Sequence, residues 1–264
     1  MSVLRSFCLA FAMYSRIPMP VGSDWKEEDG RYAIAFFPLV GAVIGGLILL
    51  WLRVWQAAAR VEPAVGRAVL APVLITCAIP LIVTGGIHLD GFLDTSDARS
   101  SYGDRDQKLK ILKDPHIGAF AVIRTLILCA VFTAAVDVIL SASAVGVFCL
   151  SFILARVLSG LAALKFPGAG GKGMLRSLRE TSQKAERIDT VILCAEGAAA
   201  AAAMCLADPV CGAVTVVTAL AVMGLYYRTA MREFGGITGD LEGWFLCRCE
   251  TAMAVAAAVI CILR

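Results

Sequence analysis

Seven stretches of the chain run for about 20 residues with few or no charges, at 32–52, 68–87, 117–140, 142–164, 190–207, 210–227 and 241–263. Each is close to the length that carries an α-helix across ~30 Å of hydrocarbon. Lipid offers no partner for open backbone groups, so helices are the available spanning structure once the alternation of a membrane barrel is absent. The fold expected is all-α, a polytopic bundle of about seven transmembrane helices forming one integral membrane domain over 1–264. The last stretch contains Arg248 and Glu250 and is the least regular of the seven.

Composition agrees. Hydrophobic residues make up 59% of the 264 and charged residues 17%, against roughly 45–50% and about 25% in soluble domains. A soluble enzyme, a coiled coil and a disordered chain are excluded. The net charge of +3, with no polybasic tail, gives nucleic-acid binding no support. Most of the ten cysteines, Cys77, Cys129 and Cys149 among them, stand inside apolar runs, where they act as small hydrophobes. No cleavable leader is expected, since Arg5 and Arg16 interrupt the first 20 residues.

Loop charge sets the orientation. With the N-terminus cytoplasmic and seven alternating spans, 17 of the 24 Lys and Arg fall in the cytoplasmic segments 1–31, 88–116, 165–189 and 228–240. The long polar loops share that face, so the chemistry is expected there.

The densest polar run is His88-Leu89-Asp90-Gly91-Phe92-Leu93-Asp94-Thr95-Ser96-Asp97. On a helix, Asp90, Asp94 and Asp97 fall within a wedge of about 60°. Clustered carboxylates suit Mg²⁺, which shares its remaining positions with substrate phosphates; the same spacing suits a solvated helix end. His88 points about 160° away and is a catalytic candidate only if Gly85-Gly86 breaks the helix. Lys113, beside Asp114 and His116, and Lys172, in the run Gly168–Gly173, are phosphate-binding candidates. Neither segment is a P-loop. Asp240, in Gly235-Gly236-Ile237-Thr238-Gly239-Asp240, is expected near the α-helical aspartates, though an N-cap alone would explain it. Arg156 lies ~12 Å inside the fourth span, where a charge needs a partner: the substrate diphosphate, or Glu196 or another acid.

Together these segments resemble the cobalamin synthase family, the adenosylcobinamide-GDP ribazoletransferases. The resemblance runs through Tyr14-Ser15-Arg16-Ile17-Pro18-Met19-Pro20, Phe36-Phe37-Pro38-Leu39-Val40-Gly41, the run from Gly85 to Asp97, Lys113-Asp114-Pro115-His116-Ile117-Gly118, and the Gly-Gly-Ile-Thr-Gly-Asp segment ending at Asp240. The chain departs from it at Leu89, where many members carry an acid. The resemblance implies a multi-pass protein of the bacterial inner membrane with its site on the cytoplasmic face. It implies transfer of the cobinamide-phosphate part of adenosylcobinamide-GDP to α-ribazole, or to its 5′-phosphate, with release of GMP. Mg²⁺ on Asp90, Asp94 and Asp97 would hold the diphosphate, Arg156, Lys172, Lys113 and Asp240 would bind substrate, and a carboxylate or His88 would take the proton. The other partner is the lipid bilayer, with a homo-oligomer left open.

Two other readings fit less well. The D-x-x-D-G-x-x-A-R pattern of a CDP-alcohol phosphotransferase is not met, because Ala98-Arg99 follows Asp97 directly. A transporter would place its charges, here Arg156, Glu196 and Arg248, near the midplane at broken helices, whereas the polar density of this chain lies at one surface.

Overall fold

A computed structural model describes residues 2–20, 30–142, 144–170 and 186–264. Among them the chain forms helices α1 (Ser2–Tyr14), α2 (Phe37–Val61), α3 (Pro63–Gly66), α4 (Leu70–Thr84), α5 (Ile87–Ser100), α6 (Arg105–Ile111), α7 (Ala119–Leu140), α8 (Val145–Lys165), α9 (Glu186–Ala207), α10 (Pro209–Thr229) and α11 (Gly239–Ile262), with a π turn at Ala230–Phe234 closing α10. Six helices are long and apolar enough to cross a membrane alone, the π turn counted with α10. The pair α4 and α5 qualifies only jointly and bends by 91° at Gly85-Gly86.

The direction of α4 settles what that pair does. Trp51, in the second half of α2, donates its indole N–H to the Pro72 carbonyl at the start of α4, 3.4 Å away. At the other end, the Arg16 amide bonds the Val83 carbonyl at 2.8 Å, and the Phe37 ring lies 5.8 Å from the His88 ring. Helix α4 therefore runs antiparallel to α2 and returns to the end where α2 begins; with the bent pair counted as one span, the long apolar spans number seven. Gly85 and Gly86 both have left-handed backbone, with φ of 65° and 79°. Two such residues in succession end one helix and start another in a new direction, a geometry costly for residues with a Cβ.

The core forms around α8 and α11. Helix α8 is buried along nearly its whole length, packed against α2, α9 and α11. Gly41 and Gly45 of α2 face the Phe152 and Cys149 carbonyls of α8 so closely that a Cβ at either would strike backbone. Small residues of this kind let membrane helices meet where no water-driven force operates between them. Helix α11 touches α5, α7, α8 and α10, and it is a regular central helix despite its two charges. Glu250 accepts from Arg156 of α8 at 2.7 Å, and Arg248 lies 4.6 Å over the Trp244 ring. The irregularity expected of the seventh span is absent because each charge meets a group that stabilises it.

Candidate active site

Asp90, Asp94 and Asp97 all stand on α5, the helix that the double glycine turns away from α4. Its first turn carries Asp90, which the partial positive charge of a helix N-terminus favours. The start of α11 crosses α5 at backbone contact. A Cβ on Gly91 would stand 2.7 Å from the Asp240 carbonyl oxygen, and one on Gly243 would stand 2.8 Å from the His88 carbonyl oxygen. That crossing brings Asp240 to the α5 aspartates: Asp94 lies in the field of Asp90, Asp240 and Asp97, and Asp240 in that of Asp90.

Asp240 is not the helix cap. Thr238 fills that role, its hydroxyl accepting from the Leu241 amide at 3.2 Å. The carboxylate of Asp240 is thereby released from the local role that sequence alone allowed it. The strand-like pairing of Ile237 with Gly168 fixes the approach to this turn, through Ile237 N–H to Pro167 O at 2.9 Å and Ala169 N–H to Ile237 O at 3.0 Å. The third wall is the loop before α7. Gly118 lies directly against the Asp97 carboxylate, and a side chain there would displace it.

Lys113 is exposed on this same loop. Close by, His116 donates its backbone N–H to Asp114 at 3.0 Å, and the contact with the His116 amide and ring holds the Asp114 carboxyl below its usual range. Lys172 lies outside the described residues. His88 is turned to the interior: its ring packs near Phe37 and lies in the field of Arg156, and its Nε2 is buried without a hydrogen-bond partner. It does not join the carboxylates. Arg156, expected at the diphosphate, is 1% exposed and bonded to Glu250 and to the Phe152 carbonyl at 3.0 Å, with Phe37 5.7 Å from its guanidinium. The structure thus gives it an acid partner inside the bundle, the other option its depth allowed.

No three His, Cys, Asp or Glu side chains among the described residues form a ready metal cage. The donor set still fits Mg²⁺, which is commonly held by one or two carboxylates while phosphates and water complete the shell. None of the ion pairs among the described residues engages Asp90, Asp94, Asp97 or Asp240. Among the described residues these carboxylates therefore have no paired cation, and Asp94 carries the repulsion of the other three.

Residues 6–258 match the family model described as cobalamin-5-phosphate synthase. The chain belongs to that family. An adenosylcobinamide-GDP ribazoletransferase of Lachnoclostridium phytofermentans is 38% identical over 259 residues, 98% of this chain and 95% of the relative. Relatives of the same name from Desulfitobacterium hafniense and Clostridium perfringens are 29% and 27% identical, each over 92% of both chains. No solved structure matches the chain. Within this cobalamin-5-phosphate synthase family member, Gly91, Gly118 and Gly243 allow the close approaches that shape the site. The sequence signal for them was available, since each sits inside a run that carries the resemblance or next to one.

Proposed function

We propose that this chain is an adenosylcobinamide-GDP ribazoletransferase of the bacterial inner membrane, acting at the cytoplasmic face and depending on Mg²⁺. The observation that carries this reading is the convergence of Asp240 on Asp90, Asp94 and Asp97, two segments 143 residues apart (Asp97 to Asp240). Both segments belong to the stretch matched by the family.

In the reaction, a ribose hydroxyl of α-ribazole, or of its 5′-phosphate, attacks the cobinamide-bearing phosphorus and GMP departs. Positioning and charge stabilisation dominate such phosphoryl transfers. When bound, Mg²⁺ supplies charge neutralisation at the diphosphate, with Asp90, Asp94 and Asp97 as its holders. The remaining work falls to the chain's own groups. A carboxylate of the four accepts the proton of the attacking hydroxyl, which requires hydrogen-bond reach and an open oxygen. Asp240 is the candidate of the four that comes from a second segment, and Thr238 relieves it of capping. Lys113, exposed on the loop whose Gly118 abuts Asp97, would meet phosphate oxygens. His88 and Arg156 lie beneath and hold the α2–α5–α8–α11 junction in register.

The test uses purified protein in lipid nanodiscs with adenosylcobinamide-GDP and α-ribazole 5′-phosphate. GMP should appear in equal amount with the corrinoid product, stop on chelation, and return with Mg²⁺. Absence of GMP with either acceptor overturns the reading, and full activity in chelator removes the metal from it.

A further inference from the structure

A groove of about 1000 Å³ lies on the far side of α5 from the aspartates. Its α5 wall is Phe92, Ser96 and Arg99, offset by about 200° from Asp90 and Asp94 on the same helix. Helices α7 and α10 pack on α11 rather than on each other, so α11 is the floor and the groove opens sideways between them. Along that floor it runs from Trp244 to Ala256, about 18 Å of helix.

The cations in it exceed their partners. Glu233 takes both Arg99, at 2.8 Å, and Lys108, at 2.9 Å. Among the described residues no carboxylate pairs with Arg124 or Arg248. Arg124 donates to the Ser96 carbonyl at 3.2 Å. Arg99 and Arg248 lie 5.0 and 4.6 Å from the Trp244 ring, and Arg248 feels the charges of both Arg99 and Arg124. Beside the Arg99–Glu233 pair, the Arg124 and Arg248 guanidiniums are left without a carboxylate among the described residues, which is costly in a membrane protein. A second sign is Ser96, 0% exposed, whose hydroxyl oxygen has no partner although the residue lines the groove.

The rest of the groove is apolar. Ile127 and Val131 of α7 are 59% and 42% exposed, and Val255 and Ala256 continue the floor. Arg124 and Arg248 stand about 8 and 14 Å along their helices from the end that carries the aspartates. The cations therefore lie nearer that end of the bundle, toward which their long side chains can reach, and the apolar part lies deeper. An anionic head joined to a long apolar tail satisfies both halves at once; a free phosphate satisfies only one.

We propose that this groove binds an anionic phospholipid, its phosphate held by Arg124 and Arg248 and its acyl chain laid along Ile127, Val131 and Val255. Basic pockets between membrane helices recognise anionic headgroups in this way, and the planar guanidinium suits bidentate phosphate contact. The site is separate from the carboxylate site by the body of α5 and stands whether or not the transferase reading does.

The test is native mass spectrometry of the detergent-purified chain titrated with dioleoyl phosphatidylglycerol or dioleoyl phosphatidylcholine. One phosphatidylglycerol should be retained per chain with about tenfold preference, equivalent to about 1.4 kcal/mol. Arg124→Gln with Arg248→Gln should abolish the preference. Val255→Trp, which fills the tail channel and keeps every charge, should reduce retention of the same lipid, and it stands in should the double variant fail to fold. Equal retention of both lipids, or unchanged phosphatidylglycerol binding in whichever variants fold, overturns the proposal. So does displacement of the lipid by millimolar inorganic phosphate or GDP, which would assign the cations to a soluble phosphate.

Discussion

Gly91 of α5 lies so close to Asp240 of α11 that a Cβ on the glycine would stand 2.9 Å from the aspartate's Cα. Two backbones in contact hold the carboxylates of two distant segments together, with no side chain between them to bend. Gly91→Ala should therefore act as a mutation of the site. Helix propensity alone would favour alanine by about 0.5–1 kcal/mol, but a clash with backbone costs roughly 1–3 kcal/mol. Lower thermal stability and a higher Mg²⁺ requirement are expected, and an alanine variant with wild-type metal dependence would show that the spacing does not matter.

Asp94→Asn and Asp97→Asn remove one charge each and little volume. Each should cost at least about a hundredfold in transfer, the scale seen when a preorganised charge-stabilising group is lost, while the helical signal and melting temperature hold or rise as repulsion eases. Assays across a range of Mg²⁺ distinguish a ligand, whose loss shifts the metal requirement, from a carboxylate that handles the proton, whose loss lowers the maximal rate.

Arg156 and Glu250 form a pair inside the bundle, and breaking a buried pair costs on the order of 3–5 kcal/mol. Arg156→Ala and Glu250→Gln are expected to lower the melting temperature sharply and to leave the affinity for the GDP-linked substrate much less changed. Arg156→Lys keeps the charge but not the simultaneous contact with Phe152 and Glu250, so it should fall between. A stable Arg156→Lys that binds substrate poorly would return the guanidinium to the diphosphate.

At the opposite end of the bundle, Asp208 caps α10 through the Cys211 amide at 2.9 Å and binds Arg264 with both oxygens. The Arg264 guanidinium, first, and the Cys211 amide hold its carboxyl below the usual range. A depressed carboxylate pKa adds stability that is fully present above the unfolded value, near pH 4, and is lost as pH falls through the folded one. Asn caps as well as Asp, so Asp208→Asn isolates the charge. The melting-temperature gap between wild type and this variant should be constant from pH 7 to about 5 and close below about pH 4. A gap that ignores pH would mean the ion pair contributes nothing.

The long apolar helices and the α5 wedge were legible because they rest on length and on periodicity, which a chain carries in itself. The partner of Arg156 was not, since Glu196 and Glu250 are equally acidic on paper and only packing of α8 on α11 chooses Glu250. Asp240 shows the same limit: either Thr238 or Asp240 can cap a helix, and the backbone at Gly239 decides which one does. The groove behind α5 was invisible for a further reason. Arg99, Arg124 and Arg248 come from three helices, and one of them counts, in a charge tally, as ordinary loop positivity.

The turn at Gly85-Gly86 leaves α4 with 15 residues, about 22 Å of helix where the hydrocarbon is ~30 Å thick. A short helix is accommodated by local thinning of the bilayer. Such thinning around α4 would draw the water boundary inward, so that a helix as polar as α5 could lie below the surrounding headgroups with its aspartates wet. Substrate need not be lifted out of solution into lipid to reach them. The geometry makes a prediction of its own: bilayers of longer-chain lipid would resist that dimple, and transfer measured in them should be slower with every residue of the site intact.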